Sequence, residues 1–328
     1  MSEMAEPGYT SQEVPQRRSG NSLVMVKTLL ENPGALKRMR VMSPDEERYV
    51  RPPREYELPA YRQGMRYCKS NEKYLRPTRW CNPREPLVIA MANELGAYEL
   101  SDWDFAEAAY WFVKTKFVVE FLTFNSVSET LERGTGTCLH LNSVWVALCR
   151  AAGIKARYKT FNMMLPPSLA PDMVSERGRE TAEMFNRGTP EVEGEICIDG
   201  KWEVGHVSMR PEYLARGYLP ITRFGEDAIG LTFPLAPGAK IKRFEGLSWT
   251  LGIQAKVLMP LLKASMERAS LAVLRAMPRG REIIEEAGGL EAYDRKARRR
   301  MGLFSEDEIT RRIMEASGRK SWSLKGEG

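Results

Sequence analysis

"RGTGTCLHLNSVWVALCRAAGIKAR", residues Arg133 to Arg157, is the stretch whose reading decides the fold. From Leu141 the apolar residues fall at Val144, Trp145, Leu148, Cys149 and Ala152. That is the i, i+3, i+4, i+7 spacing of an amphipathic helix, and Gly153 is placed to close it. The stretch therefore reads as a Gly-rich loop feeding a helix, with Cys138 at its head. The first N–H groups of a helix lack intrahelical partners and the macrodipole is positive there, so both favour a thiolate. Cys138 also lies three residues before Leu141 on the same stripe, which equally suits a small core hydrophobe. Cys149, deep in the stripe with no helix end beside it, reads as core.

Working outward, "IKARYKTFNM", Ile154 to Met163, reads as a strand. "EVEGEICIDGKWEVGHVSM", Glu191 to Met209, holds two runs of strand formers joined at Asp199-Gly200, a favoured two-residue hairpin turn. Between them, Leu165 to Pro190 reads as an insertion with one helix near Pro171 to Phe185. Upstream, Ser101 is an N-cap for a helix running toward Phe117, with Asp104 completing a capping-box pattern. "KFVVEFLTF" then reads as extended, and "SVSETLERGTGT" as a capped turn into the loop before Cys138. The fold class expected is α+β, a Cys-headed helix packed on an antiparallel sheet. Flanking it are a partly disordered N-terminal arm over 1–60 and a mainly helical, basic C-terminal extension over 231–328, leaving 61–230 for the core. In that extension Leu258, Leu262, Met266, Ala269, Val273 and Met277 mark one packing face.

The 328 residues are 43% hydrophobic, ample for a packed core, and carry five cysteines without regular spacing. An odd, irregular cysteine set argues against a secreted disulfide framework. The polar start and the absence of a long apolar run predict neither signal peptide nor membrane span, hence a cytoplasmic protein. The formal charge is +6. In "AYDRKARRRMG", Ala292 to Gly302, the cations Arg295, Lys296, Arg298, Arg299 and Arg300 crowd together. Such a run reads first as a solvated helix face, since no aromatics are interleaved, and second as a weak site for an acidic or nucleic-acid partner. No P-loop, dinucleotide fingerprint, paired Cys-x-x-Cys or His-Glu-x-x-His is present, so no cofactor is expected. Two histidines, His140 and His206, exclude a multi-histidine metal site.

"ETLERGTGTC", Glu129 to Cys138, "VALCRAAGIKARY", Val146 to Tyr158, and "EICIDGKWEV", Glu195 to Val204, together resemble the transglutaminase-like branch of the papain-type cysteine enzymes. The resemblance covers Trp103 to Tyr213, about a third of the chain. It implies that Cys138 is the nucleophile of acyl transfer or of amide or peptide hydrolysis through a thioester, acting on a peptide or protein substrate. It also exposes a departure. The family's histidine position, four residues before Glu195, carries Glu191, and its acid position, four after Trp202, carries His206. Either the pair has been exchanged across the hairpin, or the site has lost its base and the module binds a peptide or protein without chemistry. An adaptor for nucleic acid or a membrane surface, working through the Arg-rich tail, is a third expectation.

In a hairpin turning at Asp199-Gly200, ladder partners sum to a constant, so Glu193 falls opposite His206 with Glu191 on the same face. The candidate catalytic set is therefore Cys138, His206, Glu193 and Glu191, with His206 as base and a glutamate orienting it. His140 is a poor substitute on geometry: if the helix begins at Cys138, two residues turn its ring away from the sulfur, leaving it a polar cap or a partly exposed surface role, and it becomes a candidate only if the helix starts later, around Leu141.

Overall fold

The computed structural model describes residues 40–123, 125–164, 189–236, 238–246 and 262–301, together with positions 34 and 37. Two helices open the core, α1 (Pro86–Glu94) and α2 (Asp102–Lys116). Ser101 caps α2 by accepting the Asp104 N–H, as its sequence predicts. The chain continues through β1 (Val118–Val119), α3 (Val127–Arg133), β2 (Thr135–Gly136) and α4 (Cys138–Ala151). Two local readings change here. The segment taken as a capped turn is a seven-residue helix, because Ser126 and Glu129 close a reciprocal capping box and Gly134 ends it with φ 73°. The extended reading of "KFVVEFLTF" contracts to Val118–Val119, paired in parallel with Thr135–Gly136.

Beyond α4 come β3 (Ala156–Met163), β4 (Thr189–Ile198) and β5 (Lys201–Gly205), then α5 (Pro211–Arg216) and β6 (Lys242–Phe244). The four strands form one antiparallel sheet in the order β5-β4-β3-β6. Asp199 and Gly200 both take positive φ, 50° and 78°, which is what a two-residue turn matching strand twist requires. The helix expected near Pro171 to Phe185 lies outside the described residues.

Helix α4 is the centre of the core, and every residue from Leu139 to Ala151 is buried. Its Trp145 explains how the sheet packs so close. The indole N–H donates to Ala106 O at 2.9 Å, and its ring lies where side chains at Gly194 and Gly205 would be. A Cβ at either glycine would come within 2.5 or 2.4 Å of ring carbons. Gly194 and Gly205 are direct ladder partners, so the indole occupies a slot made by a glycine pair. That slot fixes the helix against the strand that carries Glu191 and Glu193 and the one that leads into His206.

Two further helices, α6 (Lys263–Glu286) and α7 (Leu290–Arg300), pack beside this core. Gly280 of α6 meets the Glu212 carbonyl of α5 so closely that no Cβ fits. Val273 and Met277 of the expected packing face are buried while Met266 and Ala269 are half-buried; Leu258 is outside the described residues. The N-terminal arm lies on the core without regular structure from 41 to 60. Arg51 forks onto Glu120 at 2.8 and 2.9 Å, and Tyr56 sits against Phe112 and Phe117. Glu55 pairs with Arg210 at 2.9 Å.

Candidate functional site

Cys138 is the first residue of α4, delivered there by the loop that Gly134 turns out of α3. The loop is fixed by His140. Its Nδ1 meets the Thr137 N–H at 3.2 Å and the Thr137 hydroxyl at 2.7 Å, while Nε2 lies 3.1 Å from Thr123 O. Nε2 also lies 3.3 Å from the Asn125 N–H, so both ring nitrogens are engaged by backbone groups. Burial, and then the nearby Arg133 charge, push its pKa down to about 4. His140 is thus a buried cap, not a surface residue, and it does not face the thiol's partners.

The helix start should favour a thiolate, yet the Cys138 thiol is pushed well above its ordinary range. Burial is the largest cause, and the second is the Glu191 carboxylate, which also hydrogen-bonds the thiol; N–H bonds from Leu139 and Val192 pull weakly the other way. Glu191 Oε1 accepts from Val192 N and from Ser208 Oγ, each at 3.1 Å. The His206 Nε2 lies 3.4 Å from the same oxygen. The carboxylate is thus hydrogen-bonded to the thiol and also lies beside the imidazole.

His206 is fully buried, edge-on to Phe233 with centroids 5.3 Å apart, and neither ring nitrogen makes a hydrogen bond. Its backbone is better held than its ring. Lys114 Nζ donates to His206 O at 2.7 Å and to Thr222 Oγ1 at 2.9 Å, and Tyr110 OH reaches the same carbonyl at 3.2 Å. Lys114 has no exposed surface, and burial lowers its pKa to about 7. The hairpin register puts Glu193 across from the residue following Gly205, since Gly194 pairs with Gly205. Glu193, however, turns to other partners: Oε1 accepts from Ala228 N at 3.0 Å and Oε2 lies 2.8 Å from Lys159 Nζ. Lys159 also reaches Asp227 at 2.6 Å. Burial raises the Glu193 pKa against the lowering effects of His206 and Lys159.

Of the four predicted residues, Cys138 and His206 each lie beside Glu191, and Glu193 belongs to an adjoining ion cluster. Sequence reading missed Asn142, whose Nδ2 reaches Cys138 O at 2.9 Å, Val192 O at 2.8 Å and Ser208 Oγ at 3.1 Å. Its position one helical turn after Cys138, and the two-residue step from His206 to Ser208, were the available signals. Sequence reading also passed over Lys114 and Lys159, which are buried, at 0% and 1% exposure. Among the described residues no group of three histidine, cysteine or carboxylate side chains is placed to hold a metal ion.

Residues 89–202 match the model of the transglutaminase-like superfamily, a span that includes Cys138, Glu191 and the hairpin Trp202. Over this stretch, about a third of the chain, the protein is similar to a transglutaminase-like core. A chain from Cytophaga hutchinsonii, named as a candidate cysteine protease, is similar over 52% of this chain and 51% of its own, at 18% identity and a TM-score of 0.33. The chain thus spans about half the length of that protein. A comparison with curated proteins finds no match. Among the described residues no helix is long and apolar enough to cross a membrane.

Proposed function

We propose that this transglutaminase-like core is a binding module for a peptide or protein segment, in which Cys138 is kept as a neutral thiol and carries out no acyl transfer. The observation that carries the reading is the Glu191 carboxylate against the sulfur. A nucleophilic cysteine needs its proton taken by a base of comparable strength, and needs the resulting thiolate stabilised by positive charge. A carboxylate is about two pKa units weaker as a base than imidazole, and its charge repels the thiolate. Both burial and this charge hold the thiol well above its usual range and so favour its protonated form at neutral pH.

The test is the rate of Cys138 alkylation by iodoacetamide as a function of pH, followed by peptide mass spectrometry. The binding reading expects slow alkylation until well above pH 8. Exchanging the two positions, Glu191→His with His206→Glu, should restore the order of the family and bring fast alkylation near neutrality.

One observation favours a second reading, acyl transfer or amide hydrolysis with His206 as the base and Glu191 or Glu193 orienting it. A buried imidazole with neither nitrogen hydrogen-bonded is costly and calls for a reason. If the Glu191 side chain swings aside on substrate binding, the ring gains an approach to the sulfur. Fast alkylation of the unmodified protein below pH 8, abolished by His206→Ala, is the result that would establish this reading and end the first.

A further inference from the structure

The Arg-rich tail interleaves no aromatic residue among its cations, but the fold brings one beside them. Helix α7 uses one side for packing: Tyr293 and Ala297 are buried, Tyr293 OH donates to Leu219 O, and Arg298 is spent on Asp294 and Glu226. Its other side exposes Arg295, Lys296, Arg299 and Arg300. Lys296 and Arg300 are one turn apart, as are Arg295 and Arg299, so the four cations form two adjacent ridges. Beneath Arg300 lies Tyr218, its ring centroid 5.2 Å from the guanidinium carbon. Tyr218 is 46% exposed and takes φ 55°, a left-handed conformation that a bulky residue adopts at a cost.

We propose that Tyr218 and the outer face of α7 form a docking surface for single-stranded nucleic acid, with phosphates on Arg295, Lys296, Arg299 and Arg300 and a base stacked on the Tyr218 ring. Charge complementarity selects a polyanion, and the exposed ring selects one that carries flat faces. An anionic membrane surface is disfavoured by the same geometry. A helix that lies in a membrane interface inserts its apolar face, and α7 has its apolar residues against the core. A single strand can follow the cationic ridges while turning one base toward Tyr218, whereas a duplex keeps its bases stacked inside.

The experiment measures fluorescence anisotropy of labelled oligothymidylate and oligouridylate of about twenty nucleotides with the full chain, from about 50 to 300 mM salt. Binding is expected to weaken steeply with salt. The triple variant Lys296→Gln, Arg299→Gln, Arg300→Gln should reduce the slope of log K against log salt by about two. Tyr218→Ser should weaken binding roughly five- to hundredfold with little change in slope, and Tyr218→Phe should retain it. Unchanged thermal unfolding of each variant separates loss of contact from loss of fold. Three results would overturn the proposal: no anisotropy change at the lowest salt, variants that bind like the parent, or cosedimentation with phosphatidylserine vesicles where the oligonucleotides do not bind.

Discussion

Around His140 both ring nitrogens find partners within a short stretch of chain, Thr137 on one side and Thr123 on the other. Around His206 the ring has no hydrogen bond, and the polar contacts fall on its backbone carbonyl instead. Both histidines are buried, at 2% and 0% exposure, so burial does not distinguish them. What differs is what each region is built to hold. The first is a closed cap that presents a helix end. The second gathers Glu191, His206, Glu193, Lys159 and Lys114 from separate elements and leaves part of their polar capacity unused. Local satisfaction with nothing spare reads as structure; spare polar capacity in a buried, water-poor place reads as a site.

The two regions should separate by pH. Lys114 serves the His206 side, and its pKa is lowered from an ordinary 10.5 to about 7. Between those values the unfolded chain binds the proton that the folded chain does not, so stability rises as pH rises. The gain is complete above about 10.5 and reaches at most about 5 kcal/mol. Replacing the residue, Lys114→Met, should remove this alkaline gain. Denaturant unfolding from pH 7 to 10 should show the gap between parent and variant widening with pH, and parallel profiles would refute the buried-lysine account.

The His140 side should respond lower on the scale and by less. Its pKa is lowered from 6.5 to about 4, so here too the unfolded chain holds the extra proton and stability rises with pH, now across that acid window. The contribution is lost as pH falls from about 6.5 to 4 and amounts to about 3 kcal/mol. His140→Gln keeps a polar group at the cap position and should flatten the profile between pH 4 and 6.5 while leaving the alkaline rise intact. If the acid window survives in that variant, the titrating group lies elsewhere.

This contrast also explains what could be read from sequence. The helix from Cys138, the hairpin turn at Asp199-Gly200 and its register were legible because each follows from spacing within a dozen residues. The Trp145 slot was not, because Gly194 and Gly205 look like ordinary strand glycines until the indole is placed over them. The same holds for the site. Opposition of Glu193 and His206 followed from register, but register says nothing of Lys159, which sits directly across from Glu193 on the next strand and draws its carboxylate away. The helix-end effect on Cys138 was legible in sign, yet burial and Glu191 outweigh it. Competition between a local field and a tertiary neighbour has no sequence pattern.

The smallest expected effect tests the comparison most directly. Glu191→Gln removes the charge beside the sulfur while keeping an oxygen for the Ser208 hydroxyl and the Val192 N–H. Loss of a neighbouring negative charge lowers a thiol's pKa, here against a burial effect that remains, so alkylation near pH 8 should quicken, by up to about tenfold. His206→Asn should leave the rate unchanged in the binding reading, because there the ring stands by Glu191 and takes no proton from the thiol. The two variants thus pull apart. A carboxylate that only suppresses the thiol predicts acceleration in the first and none in the second. A carboxylate that orients a working base predicts slowing in both, since the ring then loses either its partner or its nitrogen. Opposite signs from one conservative substitution decide whether the region around His206 is a retained reaction centre or the remains of one.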